Sequence, residues 1–367
     1  MVKSNFRFFF GSFLVFISLV VAINIWVNPY SFYGLNSIGN PVTHNDRLSK
    51  SVFFENHKLE TEAIFLGSSN SMRFYPEWIE DEFNLKAYNF GVFQASVEDF
   101  YCLINYILEK NPNDLKLVFF NLDDWNFAQS EQNSFDIWHP ANNRLSSVEY
   151  LAKYLRGYNL FTYKLAKYKT AISYDQFGES INNIFQSAFK PYIISTQNVF
   201  HENGVRKNYT NRDRENVTQL AEDGNYNVTE YLKKRIELLK TFPGAGKLES
   251  HEFFKEFSNQ RLELFEELIS ILNENDVKII INIMPIQPYE QSIVEKETNY
   301  LERVSFMENW LNNLKEQHRN ILLIKNNSKI ENFNGYENHF FDAIHPTSVN
   351  SKLMFESILK ELPKDAI

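Results

Sequence analysis

Near the start of the chain the apolar run Ala63-Ile64-Phe65-Leu66 ends at Gly67 and delivers Ser68, Ser69, Asn70 and Ser71. Near its far end, Asp342 stands three residues before His345, and Pro346 follows. A serine hydroxyl is a poor nucleophile until a base takes its proton, and an imidazole oriented by a carboxylate is such a base. Pro346 restricts His345 to an extended backbone, so both side chains are expected to project from one turn. Of the eight histidines, His345 is the best candidate base. Each segment alone has an ordinary structural explanation. Gly-Ser-Ser is common turn chemistry, and Asp342 can cap the helix that follows. Their pairing points to a proton relay from a serine of this turn through His345 to Asp342.

Such a relay needs a scaffold that brings distant segments together. Short apolar runs at Ala63–Leu66, Ala87–Gly91, Leu115–Phe120, Val277–Met284 and Ile321–Ile324 are expected strands. Helical periodicity separates them at Met72–Phe83, Val97–Leu108, Glu252–Asn273 and Tyr300–His318, and a last helix is expected at Ser348–Leu362. Strands alternating with helices predict an α/β fold, a three-layer α/β/α sandwich around a mostly parallel five-stranded sheet. In such sheets the site lies beyond the carboxyl ends of the strands. The polar stretches Gly67–Ser71, Gly91–Gln94, Asn121–Asp124 and Pro285–Pro288 each follow an expected strand there.

Three further regions are expected. Phe8–Val27 is almost wholly apolar and uncharged, long enough for one helix across a bilayer, with Lys3 and Arg7 before it. The positive-inside bias then puts the N-terminus in the cytoplasm and the rest of the chain outside it. A signal peptide cleaved after Val20-Val21-Ala22 is the alternative. Residues 1–28 are thus read as an anchor, 29–60 as a connector and 61–367 as the α/β domain. About 126–250 interrupt that domain as a long, mainly helical insertion expected to line or cover the site. Its helical pieces are Ser147–Leu155, Leu160–Ala171 and Glu230–Leu239, and Asn203–Asn227 is very polar.

The formal net charge of −9 argues against a nucleic-acid partner. The single cysteine, Cys102, rules out an internal disulfide and Cys-cluster zinc. His339 lies close to Asp342 and His345, but no ligand spacing supports a metal, and no cofactor is expected. Aromatics make up 16% of the chain, which first means a well-filled core. Trp125 and Trp138 are packing residues or sugar-stacking platforms. Arg73 is a candidate for holding an anionic substrate group or is an ordinary helix cation. The glycosylation-type sequences at Asn208 and Asn227 and the pair His139-Pro140 carry no functional weight.

The blocks Gly67-Ser68-Ser69, Gly91, Asn121–Asp124 and Asp342-x-x-His345-Pro346 resemble those of the SGNH (GDSL-type) hydrolase superfamily, over roughly Glu62–Asp124 and Val277–Leu362. A single membrane helix before such a domain is similar to DltD-like and alginate-acetylation-like extracytoplasmic proteins. The resemblance implies an SGNH/flavodoxin-like sheet, Ser69 as nucleophile with Ser71 as the second choice, and Ser68 in place of the usual aspartate. It also implies an oxyanion hole from the N–H groups of Ser69 and Gly91 and a side-chain amide. Asp123 stands where the family carries that amide-bearing asparagine, and an ionised carboxylate cannot donate; Asn121 or Asn89 is then the expected donor. The implied activity is that of a serine O-acyltransferase or esterase acting on acyl, foremost acetyl, groups of a cell-envelope polysaccharide. As a transferase it would work with a multi-spanning membrane partner that exports the acyl group. The alternative is a non-catalytic glycan-binding or assembly factor on the same fold.

Overall fold

A computed structural model describes residues 2–29, 33, 36–38, 46–57, 61–110, 114–128, 148–188, 191–193, 200–207, 212–241, 256–363 and 367. Trp138, His139 and Asn208 lie outside the described residues. The chain forms two compact units. Residues 1–52 associate with 134–197, and residues 53–133 with 198–367.

The second unit is built on five parallel strands: β2 (Ala63–Gly67), β3 (Ala87–Asn89), β4 (Leu117–Leu122), β6 (Lys278–Ile283) and β7 (Ile321–Asn326), in the order β3-β2-β4-β6-β7. Every residue of β2 and β4 is buried. A strand covered on both faces needs a continuous apolar run rather than an alternating one, and Ile64–Leu66 and Leu117–Phe120 supply it.

Successive phenylalanines of β4 show why both faces are covered. Phe119 meets Phe65 at 5.0 Å and Phe355 at 5.8 Å between ring centroids. Phe355 belongs to α13 (Ser348–Leu359), and α3 (Pro76–Phe83) adds Ile79 to the same cluster. Phe120 points the other way. It meets Phe100 of α4 (Val97–Lys110) at 5.8 Å and Phe265 of α10 (Asn259–Glu274) at 5.3 Å. Two buried ion pairs pin the second layer: Glu98 to Arg261 at 3.0 Å, and Asp124 to Arg303 of α12 (Tyr300–Gln317) at 2.9 Å.

The expected helix Met72–Phe83 is two elements. A 3-10 turn runs Ser69–Arg73, and α3 starts only at Pro76. Proline has no N–H to continue a helix, and it holds Tyr75 extended (φ −87°, ψ 125°). Four helices were not legible as such: α2 (Asp46–His57), which lies in the expected connector, α7 (Tyr174–Ser187), α8 (Arg212–Glu222) and α11 (Pro288–Glu297). The last starts on Gln287, whose side chain accepts from the N–H groups of Tyr289 and Glu290.

The first unit contains α1 (Val2–Val27), whose Phe8–Val27 stretch of 20 residues is long and apolar enough to cross a membrane. It also holds the short helix α5 (Glu149–Ala152), α6 (Leu160–Ala171) and α7, with an antiparallel pair β1 (Asn36–Ile38) and β5 (Pro191–Ile193). The expected insertion is therefore divided. Its first part belongs with α1, while residues 198–250 belong with the parallel sheet.

Because Phe119 joins β2, β4 and α13 in one cluster, Phe119→Ala removes a ring that nothing nearby can replace. It is expected to cost about 3–5 kcal/mol, read as a shift of the urea unfolding midpoint of the full chain in detergent.

Candidate active site

β2 stops at Gly67 because nothing larger fits. A Cβ there would lie 2.6 Å from the Asn121 carbonyl oxygen and 2.8 Å from Ser71 Oγ. The chain then enters the 3-10 turn, capped by Ser68, whose Oγ accepts from Asn70 N–H at 3.2 Å. Ser71 is buried, and its hydroxyl donates to the Ser68 carbonyl at 2.9 Å. Ser69 alone keeps its hydroxyl turned to the far end of the chain.

That far end is a loop closed on itself. Phe340 bridges Pro346, and Phe341 N–H donates to the His345 carbonyl at 2.9 Å. Inside the loop, Asp342 Oδ1 accepts from the N–H groups of Ile344 and His345, both at 3.0 Å. Gln287 N–H holds the Ala343 carbonyl at 2.8 Å and so ties the loop to the start of α11. The result is a continuous chain. His345 Nδ1 lies 2.8 Å from Asp342 Oδ2, and His345 Nε2 lies 2.8 Å from Ser69 Oγ. The proline-restricted turn expected from the sequence does bring both side chains to Ser69.

Burial alone would raise the Asp342 carboxyl. The facing His345 charge and three hydrogen bonds outweigh it and hold the group at about 2. Burial likewise pulls the His345 imidazole down, but the Asp342 charge and hydrogen bond outweigh that and leave it above 6.5. Asp342 therefore stays ionised wherever His345 titrates. With Nδ1–H given to the carboxylate, Nε2 is the acceptor that can take the Ser69 proton.

The expected oxyanion donors are arranged differently. The Ser69 N–H opens the turn and has no intrahelical acceptor. The Gly91 N–H is occupied: it donates to Asn89 Oδ1 at 2.8 Å. Asn89 in turn donates to the Ser71 and Phe74 carbonyls at 2.8 and 2.7 Å, so it staples the nucleophile turn to β3. Asn121 points into an enclosed amide ladder. Its Oδ1 accepts from Asn282 at 2.8 Å, and Asn282 accepts from Asn327 at 2.9 Å. Asn121 is fully buried, and its Nδ2 has no hydrogen-bond partner among the described residues. Of the three expected donors, the Gly91 N–H is engaged in holding the turn, whereas Asn121 Nδ2 is buried without such a partner.

Asp123 is also not directed at a substrate. Its carboxylate accepts from Ser68 Oγ–H and, at 2.7 Å, from Asn70 Nδ2. It thus grips the residues on either side of Ser69. Burial raises this carboxyl to about 7, against the lowering effect of its two donors. Arg73 and Trp125, the other candidate substrate contacts, belong to the turns that follow β2 and β4. Arg73 is buried, 3.7 Å from Glu222 and 5.1 Å over the Phe341 ring. Trp125 is half-buried in the 3-10 turn Asp124–Phe127.

Residues 200–207 bring groups that no motif announced. Gly204, at φ +83°, lets this turn press on β3, where Asn89 N–H donates to the Asn203 carbonyl at 2.9 Å. Arg206 then reaches the nucleophile turn, its N–H on the Met72 carbonyl at 3.3 Å, and its charge acts on His345. Glu222 of α8 accepts from Ser348 N–H at 3.0 Å, at the start of α13. These positions are recognisable only once the chain is folded. His339, set aside as a metal ligand, has Nδ1 3.3 Å from Thr347 Oγ1. The chain matches no protein-family model and no curated protein.

The Asp123 pKa makes a signed prediction. A carboxyl raised from 3.8 to about 7 favours the folded state only while protonated. Stability should therefore fall as pH rises from about 4 to about 7, by up to about 4 kcal/mol from this group, and stay level above. Asp123→Asn should remove that fall, measured as the difference between the two stability–pH curves in denaturant.

Proposed function

We propose that this protein is a membrane-anchored serine acyltransferase or esterase of SGNH type, acting outside the cytoplasm on acyl groups, foremost acetyl, of a cell-envelope polysaccharide. The observation that carries the reading is the unbroken path from Ser69 Oγ through His345 to Asp342, placed just beyond the carboxyl end of β2 in a parallel sheet. Hydroxyl, imidazole and carboxylate in that order make a Ser-His-Asp triad.

In the proposed reaction, Ser69 Oγ attacks the acyl carbonyl carbon while His345 Nε2 takes the hydroxyl proton. Asp342 holds the imidazole and offsets its charge. Ser69 N–H stabilises the oxyanion. The tetrahedral intermediate then breaks its bond to the leaving alkoxide, which takes the proton back from His345. The acyl-enzyme is resolved in the same way by a sugar hydroxyl, giving transfer, or by water, giving hydrolysis. No cofactor is required. A transferase would receive its acyl group from a multi-spanning membrane partner. α1 supports the location: Lys3 and Arg7 stand at its start, so the positive-inside bias puts the sheet on the opposite side of the membrane.

One observation favours a second reading. With the Gly91 N–H held by Asn89, the site offers one oxyanion donor fewer than the fold family implies. A single missing donor commonly costs 10²–10³ in kcat. A glycan-binding or assembly factor with a retained relay is the alternative.

Acetyl-ester turnover separates the two. The enzyme reading expects turnover that Ser69→Ala abolishes and that Asp342→Asn lowers by about 10³–10⁴-fold. The wild-type rate should rise with pH through a midpoint above 6.5, because His345 must be neutral to act and Asp342 raises its pKa. Absence of turnover favours the binding reading, and turnover indifferent to Ser69→Ala eliminates Ser69 as the nucleophile.

A further inference from the structure

One helix of the first unit, α7, is built inside out, and its neighbour α6 also exposes large apolar side chains. On α7, the buried face toward α1 is polar: Gln176, Ser180 and Asn183 are all buried. The same helix leaves Tyr174 83% and Phe185 81% exposed. On α6, Phe161 is 76% and Leu165 58% exposed, and Ile172 between the helices is 53% exposed. A helix in water buries its apolar stripe and wets its polar one. Here the order is reversed, which is the stable order where the surroundings are hydrocarbon and polar groups must find one another.

The polar face is organised around one residue of α1. Asn24 is fully buried. Its Nδ2 donates to the Ala171 carbonyl at 2.8 Å and the Ser173 carbonyl at 3.3 Å, its Oδ1 accepts from Ser180 Oγ at 2.9 Å, and its carbonyl accepts from Gln176 Nε2 at 3.4 Å. Asn24 lies within the last turn of a helix long and apolar enough to cross a bilayer. The turn between α6 and α7 is therefore fixed at the depth of that end, about 5 Å from the helix terminus at 1.5 Å per residue.

From this we infer that α6 and α7 form a hairpin embedded in the membrane interface beside the end of α1, with Phe161, Leu165, Ile172, Tyr174 and Phe185 in contact with lipid. At 12 and 14 residues the helices reach about 18 and 21 Å, too short to cross a hydrocarbon core of about 30 Å. They lie in the interface or dip and return. Lys164, Lys167 and Lys169 of α6 outnumber Asp175 and Glu179 of α7, a slight basic excess for a hairpin beside anionic headgroups. The chain is thus held to the bilayer by three segments rather than one.

The inference rests on α1 spanning the membrane but not on any catalytic role. Its test uses the full chain reconstituted in vesicles of phosphatidylcholine and phosphatidylglycerol. With the buried Cys102 replaced (Cys102→Ala), single cysteines at Phe161→Cys, Leu165→Cys and Phe185→Cys carry an environment-sensitive fluorophore, and Phe13→Cys on α1 serves as reference. These sites are exposed, so the substitutions leave packing intact. Labels at 161, 165 and 185 are expected to be quenched by brominated lipid as strongly as the label at 13, and to be shielded from aqueous iodide. Quenching by iodide at these sites while 13 remains lipid-quenched overturns the hairpin. So does shielding from both quenchers, which would mean a protein surface covers them. If position 13 itself is open to iodide, the membrane span fails and the hairpin with it.

Discussion

A hydrogen bond of 2.8 Å joins two side chains 276 residues apart, Ser69 Oγ and His345 Nε2. Such a contact fixes much of the second unit, because it holds only if the end of β2 and the loop before α13 keep their places to within a few tenths of an ångström. Each side is over-determined. Gly67 admits no side chain, Asn89 staples the turn through the Ser71 and Phe74 carbonyls, and Asp123 grips Ser68 and Asn70. On the other side the Phe340–Pro346 bridge and two N–H groups on Asp342 leave the imidazole little freedom. Positioning of this kind is what makes an acid–base relay effective.

The same constraint explains why several conspicuous polar residues are structural. Parallel strands end in a row at the site, and each brings a polar residue there. Asn89, Asn121, Asp123 and Asn282 cannot all face a substrate, and a buried polar group needs a partner. Apart from Asn121 Nδ2, which has no partner among the described residues, they are held within the fold instead: an amide ladder under the sheet's end and a carboxylate behind the Ser69 turn. The departure at Asp123 is one part of this. It does not confront an oxyanion, because Ser68 and Asn70 both donate to it.

The strands and the relay were legible in the sequence because both are local signals. Runs such as Ile279–Ile283 announce buried strands, and Asp-x-x-His-Pro defines one turn whatever surrounds it. The engagement of Gly91 and Asn121 was not legible. It depends on which face of a strand a residue occupies and on which neighbour lies across it. The division of the insertion was hidden for a related reason. Gln176 and Ser180 look like part of an ordinary wet stripe until Asn24, more than 150 positions earlier, is found against them. Polar α8 gave no apolar stripe to read, yet its Glu222 reaches Ser348. Pairings across such separations leave no mark in spacing or periodicity.

The central claim is that Ser69 is an activated hydroxyl rather than a turn residue. The most direct measurement is covalent labelling of the full chain in membranes by a fluorophosphonate, with the adduct located by mass spectrometry. The account predicts a single adduct on Ser69, formed faster as pH rises past the His345 midpoint and nearly lost in His345→Ala. An unlabelled Ser69, or labelling that persists unchanged without His345, would contradict it.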